Sequence, residues 1–141
     1  MILSKDEVNF YNDKGYLLVE DVITEDQHNE MLALVKDFFE RSKNVKENDN
    51  IFDLEDGHCP TNPRLKRVKQ PHQHSQFFWD IIKQSKIEGI LIDLLGKDIS
   101  LKTSKLNTKA PGGGAAVEWH QDWAFYPHTN DNVLALGLML N

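Results

Sequence analysis

The chain has 141 residues, 40% hydrophobic and 27% charged, with a formal net charge of −6. That length suits one domain with its own core, and the balance excludes a disordered chain. No stretch has the length and apolarity of a membrane span, the opening residues lack a signal-peptide layout, and the single cysteine, Cys59, excludes an internal disulfide framework. These features point to a cytoplasmic protein with Cys59 as a free thiol. The densest basic patch, Arg64-Leu65-Lys66-Arg67-Val68-Lys69, is too short to bind a polyanion and reads as a solvated loop, so neither nucleic acid nor membrane is an expected partner.

In chain order, Ser4-Lys5-Asp6-Glu7 has the capping-box pattern, and the helix it opens should end near Gly15. "GYLLVEDVI" (15–23) has the apolar, β-branched character of a short strand. Thr24-Glu25-Asp26-Gln27 is a second capping box, followed by Met31, Leu32, Leu34, Val35, Phe38 and Phe39 at helical spacing, a core stripe. Residues 44–74 are polar, contain Pro60, Pro63 and Pro71, and read as one long loop. Within it, His72 and His74 would share a face on a strand, but they lack a carboxylate partner and read as surface histidines. A third helical region covers 75–95, with Gly89 as a candidate break and Gly96 as its C-terminal stop.

From Ile99 the pattern changes. "ISLKTSKLNTKAP" alternates as a half-buried strand should, "PGGG" (111–114) is a turn, and "AAVEWHQD" and "NVLALGLMLN" read as two more strands. Helices first and strands afterwards predict an α+β fold or a β-barrel with a helical preface. The apolar run ends at Asn141 with no closing strand, so the chain is expected to be truncated, its unpaired edge open to a second copy.

"VEWHQDWAFYPHTND" (117–131) concentrates the chemistry. On a strand, His120 and Asp122 would point to one face, offering an imidazole and a carboxylate to the same point. These are two corners of the 2-His-1-carboxylate arrangement that holds non-haem Fe(II) and leaves positions open for other ligands. Trp119, Trp123, Phe125 and Tyr126 would wall an apolar pocket beside it. The spacing alone equally allows a structural hydrogen-bonded pair at a strand end, with the aromatics as core.

Lys109-Ala110-Pro111, Trp119-His120-Gln121-Asp122, Phe125-Tyr126-Pro127 and Asp131 occur in an order that resembles the central motif region of the phytanoyl-CoA dioxygenase family. "EVNFYNDKGYLLVEDVIT" is similar to that family's opening, so the resemblance covers almost the whole chain but only the first half of a family member. It implies a single domain over 1–141, a helical preface (about 1–97) leading into part of a double-stranded β-helix, a jelly-roll or cupin-like barrel (about 98–141). It implies a dioxygenase using Fe(II) and 2-oxoglutarate to hydroxylate a small organic substrate at an unactivated C–H, with succinate and CO2 as co-products.

Carried over by position, His120 and Asp122 are iron ligands and Asn107 contacts 2-oxoglutarate, with Lys105 a second candidate for that contact. Trp123 and Phe125 line the substrate side, where barrel packing is the competing role. The family's distal iron histidine and its 2-oxoglutarate arginine have no counterpart before Asn141, and His128 sits too close in sequence to replace the histidine. Two alternatives remain open for the chain as it stands. One is a metal-binding cupin-like domain without oxygenase activity; the other is a non-catalytic half-barrel that completes itself by association.

Overall fold

The computed structural model describes residues 1–109, 116–126, 129–130 and 132–140. Among them are four helices, α1 (Lys5–Lys14), α2 (Glu25–Ser42), α3 (Gln76–Lys83) and α4 (Lys86–Leu95). A three-stranded antiparallel sheet has the order β1 (Phe52–Leu54), β2 (Leu65–Lys69), β3 (Lys105–Asn107). The class is α+β, as the order of sequence patterns predicts.

Both capping boxes form. The Ser4 amide donates to Glu7 Oε2 at 2.7 Å and the Glu7 amide to Ser4 Oγ at 3.3 Å. At α2 the Thr24 amide donates to Gln27 Oε1 at 2.9 Å and the Gln27 amide to Thr24 Oγ1 at 3.2 Å. Each box satisfies amides that the first helical turn leaves without intrahelical partners. Gly15 ends α1 in the left-handed region, with φ of 78°, a conformation open to glycine at little steric cost.

The expected strand at 15–23 does not form. Leu17 and Val19 are half-buried between exposed Tyr16, Leu18 and Glu20, so the two-residue alternation is real. A strand also needs a neighbour for its backbone groups, and this segment has none among the described residues. The break in the third helical region falls at Gln84–Ser85 rather than at Gly89. Ser85 Oγ accepts from the Ile87 amide at 3.1 Å and opens α4 as a new helix. Gly89 lies inside α4, where its missing side chain leaves room for Ile2: an added Cβ would stand 2.4 Å from Ile2 Cγ1.

Residues 44–74, expected to be a loop, contain β1 and β2. Asp49 Oδ1 accepts from the amides of Ile51 and Phe52, and Asn48 Oδ1 from that of Leu54, which shapes the entry to β1. The register pairs Phe52 with Val68 and Val68 with Leu106, an apolar row across all three strands. That row packs with Met31 and Phe38 of α2, Phe78 and Ile81 of α3 and Ile87 of α4 in one core. The next row, Asp53, Arg67 and Asn107, faces the opposite side because alternate residues of a strand point to opposite faces.

The basic patch is therefore structured, not a solvated loop. Arg64 pairs with the buried carboxylate of Glu55 at 3.0 Å, and Arg67 and Lys69 both reach Asp53. His72 and His74 sit on a short turn rather than a strand. His74 is exposed, but His72 is half-buried against Trp79, with Nδ1 2.6 Å from Ser104 Oγ. Burial, followed by the charge of His74, lowers the pKa of His72.

Of the strands expected after residue 98, β3 is formed. Residues 116–121 and 132–140 carry no ladder hydrogen bonds among the described residues. Residues 132–140 instead fold back on the core through Leu138 and Leu140, and the Leu140 carbonyl lies 2.9 Å from His28 Nε2 on α2. The "PGGG" turn and His128 lie outside the described residues.

The N-terminus is tied down by Asp93 of α4, whose Oδ2 accepts from the amides of Ile2 at 2.6 Å and Leu3 at 2.8 Å. The Leu3 amide, with that of Ile2, holds the Asp93 pKa below the ordinary carboxylate value. A depressed carboxylate pKa makes this tether fully present above the unfolded value and lost as pH falls through the folded one. Asp93→Ala is expected to speed hydrogen exchange at the Leu3 amide, with little change at the centre of α2. Unchanged protection at Leu3 would remove Asp93 from this role.

Candidate metal centre

His120 and Asp122 come together, though not on a strand. Residues 116–121 are irregular, and Asp122–Ala124 forms a single 3-10 turn whose entry places the carboxylate beside the imidazole. His120 Nε2 lies 3.3 Å from Asp122 Oδ1, and each side chain is 41% exposed. The other ring nitrogen, Nδ1, lies 2.7 Å from the Glu118 carbonyl oxygen. A carbonyl oxygen only accepts, so Nδ1 carries the hydrogen.

In the neutral ring that tautomer leaves the Nε2 lone pair directed at a carboxylate oxygen. Two lone pairs at this distance repel unless a proton or a metal cation joins them. A backbone carbonyl behind one ring nitrogen is the usual way a metal-binding histidine has its other nitrogen prepared as a donor. The donor set, one imidazole nitrogen and one carboxylate oxygen, suits Fe(II) and supplies two of the three protein ligands of the facial arrangement. Among the described residues no group of three or more His, Cys, Asp or Glu side chains converges.

Phe125 sets its ring at 90° to the His120 ring with centroids 5.4 Å apart, bracing the imidazole edge-on. Trp123 has a different place. With Gln121, Asp122, Val133 and Ala135 it lines a groove of about 440 Å³ that runs beside the carboxylate. Trp123 thus borders open space beside the Asp122 carboxylate, whereas Phe125 lies against the His120 ring itself.

Lys105 and Asn107 share the exposed face of β3, two residues apart. Lys105 links the sheet to the segment that carries His120 and Asp122, its Nζ lying 5.9 Å from the centre of the Tyr126 ring. Asn107 Oδ1 accepts from Arg67 Nε at 3.1 Å. Sequence inspection passed over the Glu118 carbonyl and gave Arg67 only a place in a basic patch.

A family model, Phytanoyl-CoA dioxygenase (PhyH), matches residues 11–141. Among curated proteins the chain is 37% identical over 131 residues to a Stutzerimonas stutzeri protein named "Probable alpha-ketoglutarate-dependent hypophosphite dioxygenase", covering 93% of this chain and 46% of that one. It is 24% identical over 131 residues to "Ectoine dioxygenase" of Streptomyces avermitilis, covering 90% of this chain and 41% of that one. The Nocardia farcinica protein of the same name is 21% identical over 130 residues, covering 92% and 41%. The chain spans less than half the length of these curated relatives, and no solved structure gives a significant match. The match across 11–141, together with the motif order around His120 and Asp122, places this chain in the phytanoyl-CoA dioxygenase family.

Proposed function

We propose that the protein carrying this chain is a non-haem Fe(II)- and 2-oxoglutarate-dependent dioxygenase acting on a small molecule. The observation that carries the reading is the 3.3 Å approach of His120 Nε2 to Asp122 Oδ1, with Nδ1 committed to the Glu118 carbonyl. His120 and Asp122 hold the iron. Asn107 and Lys105 present donors to the 2-oxoglutarate carboxylates, and Trp123 forms the apolar side of the substrate space, with Phe125 set against the His120 ring.

Iron and 2-oxoglutarate, when bound, supply the oxidising chemistry with dioxygen that no side chain provides, yielding succinate and CO2. The chain's own work is to bind and orient. Glu118 holds the imidazole tautomer, Phe125 limits its rotation, and Trp123 excludes water from one side of the groove. The reading takes 1–141 as one domain, a helical preface (about 1–97) entering the first strands (about 98–141) of a jelly-roll barrel. It places the protein in the cytoplasm, and β3, an edge of the sheet among the described residues, is where a second copy or further strands would pair.

Hydroxylation of an organic substrate at an unactivated C–H is the first reading of the reaction. The 37% identical relative favours a second one, in which the substrate is a small oxyanion, because its name specifies hypophosphite. The test is 2-oxoglutarate-dependent succinate release by the iron-loaded protein, with organic acids and hypophosphite supplied side by side. Iron-dependent succinate release that rises with one class of substrate is the expected result. Absence of both succinate release and 2-oxoglutarate binding would remove the assignment.

A further inference from the structure

The polar face of the sheet carries a row that crosses all three strands. The register sets Asp53 opposite Arg67 and Arg67 opposite Asn107. Asp53 Oδ2 lies 3.7 Å from Arg67 Nη1, and its other oxygen lies 3.0 Å from Lys69 Nζ. Arg67 Nε donates to Asn107 Oδ1 at 3.1 Å. The order along the row is thus carboxylate, guanidinium, amide, ending at the exposed side chain on β3.

A guanidinium has only donors, so the amide atom facing Arg67 must be the oxygen. The amide NH2 is then directed away from Arg67, where it can donate to an anion and cannot present an acceptor. A free asparagine side chain turns either end outward, and for an incoming carboxylate half of those orientations repel. The Arg67 contact removes that choice and draws electron density toward Oδ1, which strengthens the NH2 as a donor. Asp53 holds the guanidinium in turn. Arg67, Lys69 and Lys105 outnumber Asp53 and the nearby Asp49 on this face, which favours an incoming anion in a chain of net charge −6.

We infer that Arg67, held by Asp53, is a positioning residue that fixes the Asn107 amide with its NH2 toward a carboxylate of 2-oxoglutarate. The inference rests on the proposed function, in which Asn107 contacts the co-substrate. Arg67 itself touches neither iron nor 2-oxoglutarate in this scheme.

The experiment is calorimetric titration of 2-oxoglutarate into the Zn(II)-loaded protein, where no turnover occurs, with thermal midpoints as the folding control. Arg67→Met keeps the apolar stem and removes every donor. It is expected to raise the 2-oxoglutarate Kd about tenfold, about 1.4 kcal/mol. Arg67→Gln restores an N–H donor for Oδ1 without the charge and should bring the Kd within about threefold of wild type. Asn107→Ala should weaken binding to a similar degree, and Arg67→Met combined with Asn107→Ala should be no weaker than either alone.

Additive losses in the double variant, or an unchanged Kd in Arg67→Met while Asn107→Ala weakens binding, would overturn the positioning role and leave the functional reading intact. An unchanged Kd in Asn107→Ala, or no binding by wild type, would overturn the functional reading of Asn107 and this inference with it.

Discussion

Replacing Asp122 with alanine is expected to lower iron-dependent succinate formation by more than about 100-fold. The basis for that size is that losing a group one step behind a metal ligand already costs roughly 10–100-fold in affinity or activity, and Asp122 is proposed as a ligand itself. Its carboxylate supplies the negative charge of the pair, and its Oδ1 faces His120 Nε2, the ring nitrogen that the Glu118 carbonyl does not engage. Asp122→Asn keeps the shape but exchanges an anionic donor for a neutral one, so it should also lose most of the iron. Measuring bound iron beside succinate separates loss of metal from loss of chemistry. Wild-type turnover and full iron content in Asp122→Ala would remove this residue from the centre, and with it the main support for the proposed reaction.

The second large effect lies far from the metal position. Phe38 is 2% exposed and joins α2 to the sheet and to α3, its ring centroid 6.3 Å from that of Phe52 and 6.1 Å from that of Phe78. The Arg41 guanidinium lies 5.2 Å from the centre of the same ring. Phe38→Ala removes one side of each contact and leaves a cavity where three elements meet, a change that costs about 3–5 kcal/mol. Whole domains are stable by only about 5–15 kcal/mol, so the urea midpoint should fall sharply. Phe38→Leu fills more of the space and should recover a good part of the loss. A cost below about 1 kcal/mol for Phe38→Ala would mean that this junction is not the centre of the core.

Local signals in the sequence were read well where the physics is local. Ser4 with Glu7 and Thr24 with Gln27 announce helix starts because the reciprocal hydrogen bonds span three residues and need nothing else. Met31 and Phe38 follow from helical spacing for the same reason. His120 and Asp122, two apart in the chain, can meet in more than one backbone form, and they meet at the entry to a 3-10 turn rather than on a strand. The motif order around them identifies the family without any knowledge of the fold.

Non-local pairing was not legible. "GYLLVEDVI" has every strand preference yet gains no partner among the described residues. "FDL" and "LKRVK" have little apolar character, yet they form a hairpin. A strand depends on what lies beside it, and that neighbour is chosen by the packing of distant segments rather than by the strand's own residues. The same reason hid Arg67, which reads as one charge in a basic patch and acquires a direction only when β2 lies against β3, 40 residues later.

The sequence by itself determined the starts of α1 and α2, the core stripe of α2, the α+β class, the family and the closeness of His120 and Asp122. These rest on contacts within a few residues or on motif order. The tertiary structure alone decided which polar residues share the outer face of the sheet and that Trp123 lines a groove with Val133 and Ala135, whereas the Glu118 carbonyl and Phe125 reach the His120 ring from within five residues of the chain. The sheet face and the groove depend on segments distant in sequence lying side by side, and the direction of a side chain there is settled only when its neighbours are in place.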